Sequence, residues 1–123
     1  MYEVTIKRSF SAAHMLKEIG GKCEKLHGHN FIVEVTAAAA QLNDEGVLID
    51  FRELKGWTGE ILETLDHRCL NELPCFRQTN PSSENVAAYI FHGLAEKAKS
   101  SRVRISKVTV WESEDARVTY RAE

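Results

Sequence analysis

Hydrophobic and polar positions alternate along the first ten residues, with Tyr2, Val4, Ile6 and Phe10 set against Glu3, Thr5, Lys7 and Ser9. A two-residue period predicts a long half-buried strand running towards His14. The alternation breaks at Gly20-Gly21, a loop that carries Cys23. It resumes near His29 and runs through Phe31, Val33 and Val35 into Ala37 to Ala40, a second strand. Asn43-Asp44-Glu45-Gly46 has the chemistry of a turn. Asp50 followed by Glu53 resembles a capping box, and Phe51, Leu54, Ile61, Leu62 and Leu65 follow at helical spacing. Gly56 and Gly59 weaken that helix. The stretch from Asp66 to Asn80 reads as a loop punctuated by Pro74 and Pro81. Ser82 or Ser83 is a good N-cap for a second helix, with Glu84 in its first turn and Ala87, Ile90, Phe91, Leu94, Ala95 and Ala98 as its apolar stripe. Val103 to Trp111 and Ala116 to Tyr120 read as a closing hairpin. The order is strand, strand, helix, helix, strand, strand. It predicts an α+β fold: a four-stranded antiparallel sheet with two helices on one face, in a single domain over residues 1–123.

Composition narrows the class without naming the chemistry. The chain has 123 residues, 43% of them hydrophobic, which suits one modest core and argues against disorder. A formal net charge of −2, with both signs mixed, leaves no basic stripe for nucleic acid. No apolar run approaches membrane-spanning length, and the alternating N-terminus is unlike a signal peptide. Cys23, Cys69 and Cys75 are odd in number and form no C-x-x-C pair, as expected of a reducing, cytoplasmic compartment. Cys69 and Cys75 have no histidine pattern around them and read as packing residues.

The chemistry gathers around His27-Gly28-His29. Histidines two apart on an extended segment project to one side, so both imidazoles can converge on one metal ion. A third ligand from His14 would make a three-histidine set, which leaves a zinc ion one open position. Lone histidines are ordinarily surface or core residues, and His92 in the second helix is read as a surface residue. Cys23 lies among Lys22, Glu24 and Lys25, where positive charge lowers a thiol pKa, although most loop cysteines are inert. Asp66-His67 is either a catalytic pair or a helix-end histidine facing the dipole. Glu112, after Val108-Thr109-Val110-Trp111, is either a ligand-facing carboxylate or a solvated strand end. Lys17, Lys22, Lys25 and Arg68 suit a phosphorylated ligand, and equally a solvated surface.

Six segments occur in one order: Phe10-Ser11-Ala12-Ala13-His14, Cys23-x3-His27-Gly28-His29-Asn30, Leu48-Ile49-Asp50-Phe51, Leu65-Asp66-His67, Pro81-Ser82-Ser83-Glu84-Asn85-Val86 and Val110-Trp111-Glu112-Ser113. Together they resemble the 6-pyruvoyltetrahydropterin synthase family from end to end. The short gap between Cys23 and His27 is similar to the bacterial 6-carboxytetrahydropterin synthases of queuosine biosynthesis. Serines stand at Ser82, Ser83 and Ser113 where threonines are common in the family, keeping a hydroxyl in each case.

The resemblance implies His14, His27 and His29 as zinc ligands and Cys23 as general base, with Asp66 and His67 completing a proton-handling triad. It implies Glu112 as the anchor of the pterin ring, and Ser82, Ser83 and Glu84 as a substrate-contacting helix start. It implies the tunnelling fold, whose sheets join into a barrel of subunits. The assembly expected is a homo-hexamer of two stacked trimers, with sites walled by neighbouring chains. The implied reaction is a zinc-dependent lyase conversion of 7,8-dihydroneopterin triphosphate to 6-carboxy-5,6,7,8-tetrahydropterin, releasing triphosphate and acetaldehyde. Two alternatives stand beside it: a 6-pyruvoyltetrahydropterin synthase that stops at triphosphate elimination, and a non-catalytic zinc-binding assembly domain.

Overall fold

The computed structural model describes residues 1–18 and 21–123, with the side chains of Lys22 and Cys23 outside that description. Strand β1 (Tyr2–His14) pairs along its whole length with β2 (His27–Ala39) in antiparallel register, from Tyr2 opposite Ala39 to His14 opposite His27. Between them a single 3-10 turn covers Gly21–Glu24. Helix α1 (Phe51–Glu63), strand β3 (Arg68–Cys69), helix α2 (Ser83–Ala98) and the hairpin β4 (Arg104–Trp111) and β5 (Arg117–Arg121) follow. The sheet order is β3-β1-β2-β4-β5. Among the described residues no helix is long and apolar enough to cross a membrane.

The expected four-stranded antiparallel sheet is therefore corrected to a five-stranded mixed one. The additional strand, β3, has two residues and runs parallel to β1. Two residues carry no periodicity, so the strand left no trace in the hydrophobic pattern. Tertiary bonds hold it: the His67 amide donates to Ser11 O at 2.6 Å, and the Ser11 amide donates to Asp66 Oδ1 at 2.9 Å.

Both helices cover one face of the sheet. Phe10, Phe31, Val33, Val35, Val108 and Val110 supply the sheet side of the core, and Leu54, Leu62, Val86, Ile90 and Leu94 the helix side. Alternation makes the opposite face polar. It carries cross-strand hydrogen bonds between Thr5 and Thr36 (2.7 Å), between Thr109 and Thr119 (2.8 Å) and from Ser11 to Asn30 (2.6 Å). The helices approach closely where Gly93 of α2 meets Ile61 of α1. A Cβ at Gly93 would fall 2.6 Å from Ile61 Cδ1, so a larger residue there would make the Ile61 side chain shift.

Local signals were honoured unevenly. Helix α1 runs unbroken through Gly56 and Gly59, because Leu54, Thr58 and Leu62 are buried beneath it. Asp50 caps it by accepting from the Arg52 amide at 2.8 Å and is held by the Arg52 guanidinium, so Glu53 forms no capping box. Phe51, expected in the apolar stripe, is 59% exposed at the helix start. Cys75 is exposed rather than packed, and Cys69 is half-buried. Helix α2 starts where its serines predict: Ser82 Oγ accepts from the Asn85 amide at 3.2 Å. Replacing Ser82 with alanine is expected to lower unfolding stability by about 1 kcal/mol, the usual worth of an N-cap. A shift in urea midpoint with an unchanged slope checks this.

Candidate metal and substrate site

The pairing of β1 with β2 brings three histidines into an arrangement that could hold a metal ion. His14 lies opposite His27 and Ala12 opposite His29, which puts all three imidazoles on the helix-facing side of the sheet. One ligand atom from each of His14, His27 and His29 lies within 4.8 Å of the others. Their rings meet edge-on, with centroids 4.7–5.1 Å apart. Phe31 forms the floor, edge-on to His14 and His29 and near the Phe10 ring at 4.8 Å.

Backbone carbonyls fix which nitrogen of two rings faces inward. His14 Nδ1 donates to Pro81 O at 2.7 Å, and His27 Nδ1 to Lys25 O at 2.6 Å. Such bonds set the tautomer of a ligating histidine and leave Nε2 with its lone pair free. Nε2 of His14 and Nε2 of His29 are buried and have no hydrogen-bond partner. Buried ring nitrogens without partners are costly unless something fills the position, and a metal ion would account for them. Three inward imidazoles suit zinc in particular. Burial pulls the His29 imidazole below its usual pKa; Glu112 opposes the shift, while His14 and His27 add to it. The outcome favours the neutral, ligating form.

Glu112 and Ser83 adjoin this cluster. Glu112 Oε1 sits 3.6 Å from His14 Nε2 and 3.7 Å from His29 Nε2, and it accepts from Ser83 Oγ at 3.1 Å. Ser82, Ser83, Glu84 and Glu112 line one cavity of about 210 Å³, with Leu16 and Arg117 on its walls. The four residues expected at the substrate therefore share one hollow beside the histidines. Ser113 Oγ accepts from the Asp115 amide at 3.3 Å and so closes the hairpin turn.

Asp66 and His67 pair with each other away from that hollow. Asp66 Oδ2 holds His67 Nδ1 at 3.0 Å, and the ring is 81% exposed. Helix α1 ends in a turn that leaves His67 at a φ of 58°, a left-handed conformation uncommon outside glycine and asparagine. His67 lines an open depression of about 510 Å³ with Ser11, Asn30, Arg68 and Cys69, and His29 also reaches its wall. The Ser11 amide first, then His67, holds the Asp66 carboxyl below its ordinary value near 3.8. A depressed carboxylate adds stability above its unfolded pKa and loses it as pH falls through the folded one. An Asp66→Asn variant should therefore be less stable than wild type at neutral pH. The gap should close only below about pH 4, in paired thermal melts taken across that range. Of the expected triad, Cys23 falls in the turn Gly21–Glu24, and its side chain lies outside the described residues.

Two asparagines that sequence reasoning did not single out support the site. Asn71 Oδ1 accepts from the Met15 amide and its Nδ2 donates to Met15 O, both at 2.9 Å. Asn80 brackets Lys17 in the same way, at 2.8 and 3.0 Å. Residues 15–17, directly after His14, are thus stitched to the loop that supplies Pro81 O. Their only signal was their place in a proline-punctuated loop.

Comparison with known proteins agrees with this geometry. A family model described as 6-pyruvoyl tetrahydropterin synthase matches residues 3–123. The chain belongs to the 6-pyruvoyl tetrahydropterin synthase family. A provisionally named 6-carboxy-5,6,7,8-tetrahydropterin synthase of Archaeoglobus fulgidus is 39% identical over 112 residues, 91% of this chain and 89% of that protein. The 6-carboxy-5,6,7,8-tetrahydropterin synthase of Synechocystis is 39% identical over 93 residues, 72% and 70% of the two chains. The solved structure of Caenorhabditis elegans 6-pyruvoyl tetrahydropterin synthase superposes with a TM-score of 0.84 at 33% identity, covering 100% of this chain and 98% of that one. Family members thus carry both product names, and the monomer has their fold.

Proposed function

We propose that the chain is a zinc-dependent 6-carboxy-5,6,7,8-tetrahydropterin synthase acting on 7,8-dihydroneopterin triphosphate. The observation that carries this reading is the convergence of His14, His27 and His29, with two buried Nε2 atoms lacking partners, beside the Glu112–Ser83 pair. The Archaeoglobus and Synechocystis relatives carry the same product name. Zinc held by the three histidines would supply Lewis-acid polarisation of the substrate's side-chain hydroxyls.

The protein's own groups do the rest. Glu112 accepts from the amino and N–H edge of the pterin ring, a bidentate match for a guanidine-like group. Ser82, Ser83 and Glu84 wall the ring's pocket. Cys23, as thiolate, removes a carbon-bound proton next to a side-chain hydroxyl, and His67, oriented by Asp66, returns protons. Triphosphate leaves with the electrons of the broken C–H bond, and the side chain is oxidised as the ring is reduced, so no external redox partner enters. One water then cleaves the bond between the two side-chain carbonyl carbons, giving the ring carboxylate and acetaldehyde. Cys23 and the Asp66–His67 pair come from different chains of a hexameric barrel, which suits an exposed His67 ring.

The Caenorhabditis structural match favours one second reading, a 6-pyruvoyl synthase that stops after triphosphate loss. Incubating purified protein with dihydroneopterin triphosphate separates the two. Triphosphate with acetaldehyde supports the carboxy product, and triphosphate alone supports the pyruvoyl product. Zinc binding with neither product would reduce the chain to a non-catalytic assembly domain.

A further inference from the structure

The face of the sheet turned away from the helices carries an unbalanced charge. Register places Thr5, Thr36, Lys107 and Arg121 in one cross-strand row, with Lys107 directly opposite Arg121. Like charges directly opposed across a sheet are destabilising, because their Cβ atoms stand only about 5 Å apart. No acid occupies the row. Among the described residues none of Lys107, Arg117 and Arg121 takes part in an ion pair.

These side chains surround a cavity of about 240 Å³ that also takes in Glu34, Thr5–Thr36 and Thr109–Thr119. Three cations there face one carboxylate, and Glu34 is already held by Trp111 Nε1 at 2.6 Å. The Arg117 guanidinium lies 4.8 Å from the Trp111 ring centroid, which fixes its orientation. Each threonine pair shares one hydroxyl hydrogen between two oxygens, so one O–H per pair is left to donate outward. Three cations against one carboxylate already engaged by Trp111, an opposed like-charge pair and free hydroxyl donors all ask for a multivalent anion with several oxygens.

We propose that this face binds an oligophosphate, with Lys107, Arg117 and Arg121 as its charged contacts. The cavity lies on the opposite side of the sheet from His14 and Phe31; of its three cations Arg117 also walls the hollow beside Glu112, whereas Lys107 and Arg121 line only this face and carry the test. The anion would remove the repulsion between Lys107 and Arg121, so occupancy and sheet stability rise together.

Calorimetry with inorganic triphosphate at fixed ionic strength, on wild type and on a Lys107→Thr/Arg121→Thr double variant, tests this. Threonine keeps strand propensity at both positions. Wild type should bind at least about tenfold more tightly, as expected when charge-assisted bonds of over 1.4 kcal/mol are lost. In the absence of anion the double variant should melt at or above wild type, since the repulsion is gone. A Lys107→Glu variant, which pairs Arg121 across the strands, should likewise lose binding and serves if the double variant fails to fold. An ATP arm binding equally would assign the site to the phosphoryl chain whatever carries it; binding of triphosphate alone would restrict it to the free anion. Absence of binding, equal binding in both proteins, or loss of binding in His27→Ala with retention in the Lys107 variants would overturn the proposal.

Discussion

Replacing His27 with alanine is expected to empty the metal site while leaving the fold in place. His27 is the suitable ligand to remove. His14 is fully buried, and its loss would orphan the Pro81 carbonyl inside the core; His27 stands at the strand end, half-buried, and among the described residues is bonded only to the Lys25 carbonyl. Wild type should carry about one zinc per chain and the variant almost none, because two imidazoles are a poor tetrahedral set. Turnover should fall with it. Lewis-acid stabilisation is worth several kcal/mol, and at about 1.4 kcal/mol per tenfold this corresponds to a loss of about a thousandfold or more. Elemental analysis reads the metal and circular dichroism reads the fold. Full zinc occupancy in the variant would sink the ligand assignment.

The second large effect concerns the protein's proton-transfer groups. Cys23→Ala and His67→Ala should each lower turnover by about 10²–10⁴-fold with zinc retained, the usual worth of general acid–base catalysis. Mixing the two inactive proteins after dissociation should restore part of the activity. If one site draws Cys23 from one chain and His67 from its neighbour, random re-association leaves about a quarter of sites with both groups. The geometry that motivates the experiment is His67 itself. Its ring is 81% exposed, anchored to Asp66, and lines a different hollow from Ser83 and Glu112. A mixture that stays inactive would place both groups in one chain.

Much of this was legible in the sequence, for identifiable reasons. The long strands announced themselves because Ile6, Phe10, Ala12 and His14 are buried at even positions while Thr5, Lys7 and Ser9 at odd positions are exposed, and α2 because serine caps have a local cause. The H-x-H pair was legible since strand geometry alone puts His27 and His29 on one side. What escaped notice depends on distant partners. Strand β3 exists through Ser11 and His67, the inward tautomer of His14 through the Pro81 carbonyl, and the exposure of Phe51 through its place at a helix start. Backbone carbonyls are the same in every residue, so no residue pattern could mark Pro81 O as the partner of His14.

The asparagine stitch has a consequence for how this fold can vary. Asn71 and Asn80 fasten the backbone at Met15 and Lys17 and hold the span between them at both ends. Residues 72–79 thus form a loop fixed at both ends and pinned inside by the buried Phe76, which leaves residues 77–79 as its exposed stretch. Closing a longer loop between fixed ends costs only about 0.6 kcal/mol per doubling of length. Insertions there are affordable, whereas a single-residue deletion that shifts Asn80 relative to Pro81 would turn the carbonyl away from His14. Natural length variation should therefore gather between the two asparagines and stop at the second.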